Sequence, residues 1–250
     1  MKRNIKLIIE YDGTNYCGWQ IQKNSRTIQA EITKAIEEMT GQKTTLYGAS
    51  RTDSGVHALG QTANFRTQSK LEPARIQRGL NGILDRDIVI SQAVEVPDKF
   101  NARYDAKDKV YIYTMLNGPV RTALQRHFCY YNPQPASVSL MQKAARYLEG
   151  RHDFRAFASK AGSYKDSVRT IYDIKVTGKR LAGNSRMIYF KFRGDGFLYN
   201  MVRNIVGTLL LTGYKKIAPN AVKDILKSKN RAKAGPNVPA KGLCLVKVEY

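Results

Sequence analysis

The chain has 250 residues, 42% of them hydrophobic, enough to bury about 70–75% of its unfolded surface in one large domain or two smaller ones. Its 42 Lys and Arg against 20 Asp and Glu give a formal net charge of +22, a surplus spread along the chain that suits a polyanion better than a membrane surface. No run approaches the roughly 18 apolar residues of a membrane span, "MKRNIKLIIEYDG" is too short for a secretory signal, and Cys17, Cys129 and Cys244 show neither disulfide nor metal-ligand spacing. The expectation is a cytoplasmic protein with reduced thiols and no metal.

In chain order, "NIKLIIEYDG" reads as a strand ended by an Asp-Gly turn. "TIQAEITKAIEEMTG" places Ile28, Ile32, Ala35, Ile36 and Met39 on one stripe, a helix with Thr27 as N-cap and Gly41 past its end. "TTLYGAS" and "TANF" are short strands flanking the loop "SRTDSGVH". "EPARIQRGLNGIL" is a helix with Pro73 in its first turn, and "DIVISQAVEV" is a strand. The charged, Pro-containing "PDKFNARYDAKDK" marks a domain junction, giving an N-terminal unit 1–105 and a C-terminal unit 106–250.

The second unit reads as strand "VYIYTMLNG", helix "SVSLMQKAARYLEG" capped by Ser137 and Gly150, strands "RTIYDIKV" and "RMIYFKF", and a long helix from Phe197 to Thr212. "SKNRAKAGPNVPAKG" is a loop and "LCLVKVEY" a last strand. The elements lack regular β-α alternation, so the fold class is α+β with an antiparallel-rich sheet.

Four features carry possible chemistry. Asp53 sits in "SRTDSGVH", where every residue type is also at home in a turn and Gly55 supplies a positive φ. Arg203 shares one face of its apolar helix with Asn200 and Asn204; burying a guanidinium unpaired is costly, so Asp53, Asp195 or an RNA phosphate is its expected partner. Tyr111 and Tyr113 alternate on one strand and point to one face, either to stack bases or to pack the core. His57 has no Ser or Cys partner at motif spacing and reads as a hydrogen-bonded structural residue. Phosphate-loop, dinucleotide and HExxH signatures are absent. At this point the residues describe an RNA- or DNA-binding α+β protein.

"SRTDSGVHALGQTANF", together with "YDGTNYCGWQIQ", "FNARYDAKDKVYIY", "NMVRNIVGTL" and "PAKGLCLVKVEY" in that order, resembles the TruA family of tRNA pseudouridine synthases over nearly the whole chain. The resemblance implies a pseudouridine synthase fold: two α/β subdomains sharing a mainly antiparallel central sheet flanked by helices, with a basic cleft, commonly as a homodimer. It implies isomerisation of uridine to pseudouridine on the 3′ side of the tRNA anticodon stem-loop, with no cofactor and no metal. By the same resemblance Asp53 is the essential carboxylate, Arg203 pairs with it, Tyr111 stacks on the target uracil, and Arg51 helps to extrude the flipped base. Ser50 and Ser54 stand where that family usually has Gly and Ala, and each hydroxyl would bond the carboxylate or alter the turn. Two other readings stay open: a non-catalytic RNA-binding protein on this scaffold, and a paralogue acting on another RNA.

Overall fold

The computed structural model describes residues 2–159 and 166–250. Contacts divide the chain into a first unit that runs to Lys107 and is completed by Cys244–Tyr250, and a second unit of Asp108–Leu243. The fold class is α+β, and most strand pairs are antiparallel.

In the first unit, β1 (Arg3–Tyr11) buries Ile5, Leu7 and Ile9 completely while Lys6 and Ile8 remain half-buried, the period of two expected of a strand. Helix α1 (Ile28–Thr40) buries Ile28, Ile32, Ala35 and Ile36, the stripe seen in sequence, and closes on Gly41 in the left-handed region. Thr27 holds the N-cap position in extended backbone, yet its hydroxyl makes no capping bond. Two orphan donors of the first turn are satisfied otherwise: Ile28 N–H donates to the Gly18 carbonyl at 3.1 Å and Gln29 N–H to that of Trp19 at 3.0 Å. The start of α1 is thereby tied to the segment after β1.

Strand β2 (Tyr47–Gly48) pairs with β3 (His57–Thr67), which is longer than "TANF" and begins at the last residue of the Asp53 loop. Helix α2 (Pro73–Ile83) packs on β4 (Ile88–Val96). The order within this unit is β4-β1-β3-β10, with β10 (Leu243–Glu249) running parallel to β3, Cys244 opposite His57 and Leu245 opposite Ala58.

The second unit contains β5 (Asp108–Asn117), β6 (Tyr130–Asn132), α3 (Val138–Ala145), β7 (Gly150–Asp153), β8 (Val168–Arg180), β9 (Arg186–Gly194), α4 (Met201–Gly213) and α5 (Ala221–Ser228). Its strands lie in the order β5-β9-β8-β7, with β6 parallel to β5. Three details depart from the sequence reading. The third helix ends at Ala145 and passes into a 3-10 turn, Arg146–Leu148, so Gly150 opens β7 at φ 101 instead of capping the helix. Contacts to β8 dictate this: the Gln142 amide bridges Ile174 O and Val176 N–H at 3.0 and 2.6 Å, and the Glu149 carboxylate accepts from Ile174 N–H at 3.1 Å. The long helix starts at Met201, not Phe197, because Asn200 adopts φ 61, a conformation Asn tolerates and a helix does not. Helix α5 and the short strands β6 and β7 were absent from that reading. No helix among the described residues is long and apolar enough to cross a membrane.

Candidate active site

The Asp53 loop is a turn whose geometry its surroundings dictate. Val56 N–H donates to the Asp53 carbonyl at 3.2 Å, and Gly55 lies at φ 76, the positive angle a type II turn requires at its third residue. The segment between β1 and α1 then clamps the loop. Trp19 N–H donates to the Thr52 carbonyl at 3.1 Å, while Gly55 N–H and the Ser54 hydroxyl both donate to Tyr16 O, at 3.3 and 3.2 Å. The Thr52 and Tyr11 hydroxyls meet at 2.7 Å.

Two glycines permit this close approach. A Cβ on Gly13 would stand 2.0 Å from the Val56 carbonyl oxygen; one on Gly18, already at φ 89, would stand 2.6 Å from that of Thr52. The clamp is itself anchored. The Tyr16 hydroxyl donates to Asp87 Oδ1 at 2.6 Å, burial and this bond push its phenol pKa up, and the Arg26 guanidinium lies 4.5 Å from its ring. At the other end of the loop, Gln61 accepts from Ser50 N–H at 3.2 Å and donates to Ser50 O at 2.7 Å.

Asp53 is half-buried in this frame and Arg51 is exposed. His57 is buried at the start of β3, and its Nδ1 lies 3.1 Å both from Gly13 N–H and from Asp12 Oδ1. One nitrogen cannot accept from the first and donate to the second at once; in either tautomer His57 fastens the residues after β1 to the loop, the structural role its sequence context suggests. The Ser54 hydroxyl, one of the two departures from the family pattern, reinforces the turn through Tyr16 O.

Tyr111 and Arg203 belong to the second unit. Tyr111 is buried on β5 opposite Phe192, and its ring meets Phe197 edge-on, with centroids 5.3 Å apart. Arg203, half-buried on α4, donates from Nε to the Val238 carbonyl at 2.8 Å and from a terminal nitrogen to Asn200 Oδ1 at 2.9 Å. Asn200 in turn donates to the Ser159 hydroxyl at 3.0 Å, and fully buried Asn204 donates to Phe157 O and accepts from Arg231, both at 2.8 Å. The polar face of the helix is thus a positioning network around the guanidinium. The adjacent Tyr113 hydroxyl donates to Pro239 O at 2.9 Å, so Arg203 and Tyr113 hold consecutive carbonyls of the 238–239 segment. Asp195 is engaged within its own unit, accepting from Thr170 N–H at 2.9 Å.

Asp53 and Arg51 therefore share one loop, while Tyr111 and Arg203 sit on β5 and α4. Sequence reasoning missed the supporting residues Gly13, Tyr16, Gly18, Gln61 and Val238. The only signal pointing to them was their place in the quoted blocks "YDGTNYCGWQIQ" (Gly13, Tyr16, Gly18) and "SRTDSGVHALGQTANF" (Gln61) or, for Val238, just before "PAKGLCLVKVEY". Among the described residues no group of three or more His, Cys, Asp or Glu side chains could hold a metal ion.

Comparison with known proteins adds a family. Residues 7–105 and 144–250 match the family described as tRNA pseudouridine synthase. Curated relatives named tRNA pseudouridine synthase A include one from Clostridium acetobutylicum, 49% identical over 99% of this chain and 100% of its own length, and one from Acetivibrio thermocellus, 50% identical over the same shares. A third, from Thermoanaerobacter sp., is 47% identical, again over 99% and 100%. The chain belongs to the tRNA pseudouridine synthase family.

Proposed function

We propose that Asp53 is the carboxylate through which this chain works on uridine, with Arg203 keeping it ionised and oriented, Tyr111 stacking on the uracil, and Arg51 helping to hold the nucleotide out of its helix. As a member of its family the chain isomerises uridine to pseudouridine in tRNA. The bond from ribose C1′ to N1 breaks, the ring turns, C1′ joins C5, and the C5 proton is lost while N1 gains one. A carboxylate serves this chemistry by adding to the ring, by attacking C1′, or by stabilising positive charge on the sugar. Extruding a paired uridine costs a few kcal/mol, which stacking on Tyr111 and contacts to the backbone offset. We place the reacting uridine on the 3′ side of the anticodon stem-loop, and the protein in the cytoplasm as a homodimer.

The observation that carries this reading is the framing of Asp53. A half-buried acid on a loop pinned at Ser50, Thr52, Asp53, Ser54 and Gly55 is held still, as a group acting on one atom of a substrate must be.

The test is tritium release from tRNA transcripts labelled at uridine C5, compared between the wild type and Asp53→Ala, alongside binding of the same RNA. Release should fall about a thousandfold or more in the variant, with RNA affinity within about threefold of wild type. Equal release from both would remove Asp53 from the chemistry. Binding without release from either would make the chain a non-catalytic RNA-binding protein for that RNA.

A further inference from the structure

The first unit carries a basic groove that the Asp53 loop does not use. Where β1 begins and β3 ends, a recess of about 590 Å³ is lined by Lys2, Lys43, Arg66, Tyr47 and a set of Thr and Gln side chains, with no carboxylate among its lining residues. Lys2, Lys43, Arg66 and Tyr47 are all exposed, and Tyr47, on the two-residue strand β2, keeps 45% of its surface in solvent. Its main chain is nevertheless fixed against Asn64 of β3.

The floor offers one amide donor. Gln42 Oε1 accepts from the Thr67 hydroxyl at 3.0 Å and from Gln68 N–H at 2.9 Å; a backbone N–H can only donate, so the amide orientation is settled and its NH₂ is left as a donor. Arg66 lies 3.0 Å from the Asp98 carboxylate, whose side chain is 73% exposed, and donates from a terminal nitrogen to Asp98 O at 2.8 Å; the exposed ion pair itself contributes little and leaves the positive charge available to a phosphate.

Cations around an exposed ring, with the Gln42 amide donor beneath them, suit a single-stranded nucleic-acid backbone with one unstacked base. We propose that this groove holds the sugar-phosphate backbone of the RNA substrate away from the reacting nucleotide, with Lys2 and Lys43 on phosphates and Tyr47 under an unpaired base. The inference rests on the reading that the chain acts on RNA. Tyr47 precedes Asp53 by six residues, a reach of at most about 20 Å, so one RNA arm spans both.

The experiment measures tRNA affinity at several salt concentrations, with tritium release in parallel, for wild type, Lys2→Gln/Lys43→Gln, Lys43→Arg and Tyr47→Ala. The double variant should raise Kd about tenfold, reduce the slope of log K against log salt by about two, and show its loss in KM rather than kcat. Lys43→Arg should bind as wild type does, because it keeps the charge. Tyr47→Ala should raise Kd about fivefold or more with the salt slope preserved, as loss of stacking requires. An unchanged Kd and slope in the double variant would overturn the proposal, as would a loss confined to kcat. If wild type binds tRNA but releases no tritium, the catalytic reading fails while the affinities still decide the groove. If wild type binds no tRNA, the groove proposal falls as well.

Discussion

Gly18 illustrates how much of the site depends on atoms that are absent. At φ 89 a side chain costs about 1–2 kcal/mol in backbone conformation alone, and the Cβ would also collide with the Thr52 carbonyl, 2.6 Å away. Gly18→Ala is therefore expected to push the loop outward, lowering kcat for tritium release about tenfold to a hundredfold, since displacements near 1 Å at a reacting group cost that much. Steady-state kinetics beside a thermal melt would separate the loop shift from general destabilisation; a kcat within twofold of wild type would contradict the clamp. At this scale the sequence identifies the residue of interest and hides its support. Asp53 stands in a quotable motif, but the Ser54 to Tyr16 bond joins residues 38 apart and has no local signature. Thr27 makes the same point: its residue type and position announce an N-cap, yet its hydroxyl makes no capping bond, and Gln29 N–H, one of the donors it would satisfy, goes to the Trp19 carbonyl.

Among the elements, Asp153 on β7 joins three segments. Its carboxylate accepts from the Ser167 hydroxyl at 2.6 Å and from Arg155 N–H at 3.1 Å, and Lys229, just past α5, lies 3.2 Å away. Burial pushes its pKa up, but the Ser167, Arg155 and Lys229 contacts outweigh that and leave it below the ordinary 3.8. A depressed carboxyl stabilises the fold above the unfolded-state value and loses that contribution as pH falls through the folded one. Asp153→Asn should thus cost about 1–3 kcal/mol at pH 7, and the gap to wild type should narrow below about pH 4. Urea unfolding at pH 7 and pH 3 checks it; a gap that widens in acid would reverse the sign. β1, α1, α2 and β4 were legible because alternation or a stripe coincides with real burial. Helix α5 has Asn220 at its N-cap position and Asp224 in its first turn, but its eight residues are too few to show a clear period and the Asn makes no side-chain cap bond; β7 exists through pairing with β8, which its four residues cannot announce.

Across the whole molecule, the charge of +22 sets how RNA is met. Affinity for tRNA should fall by about 10³-fold or more between 50 and 200 mM salt if six or more phosphates are neutralised, for both wild type and Asp53→Ala. Filter binding across that range checks it, and a flat response would assign the charge to something other than RNA contact. The class α+β was readable from element order, whereas the parallel pairing of β10 with β3 was not, because strand partners far apart in sequence leave no trace in either segment.

That pairing has a consequence for biosynthesis. On the ribosome the Asp53 loop emerges before the strand that lies beside His57, which follows only after residues 108–243 have been made. A nascent chain waits with one edge of β3 open at the end nearest its carboxylate, and a product cut short by a premature stop leaves that edge unfilled. Quality control by proteases would then fall on incomplete copies first, and the copies that persist would be those whose last strand has closed the loop's foundation.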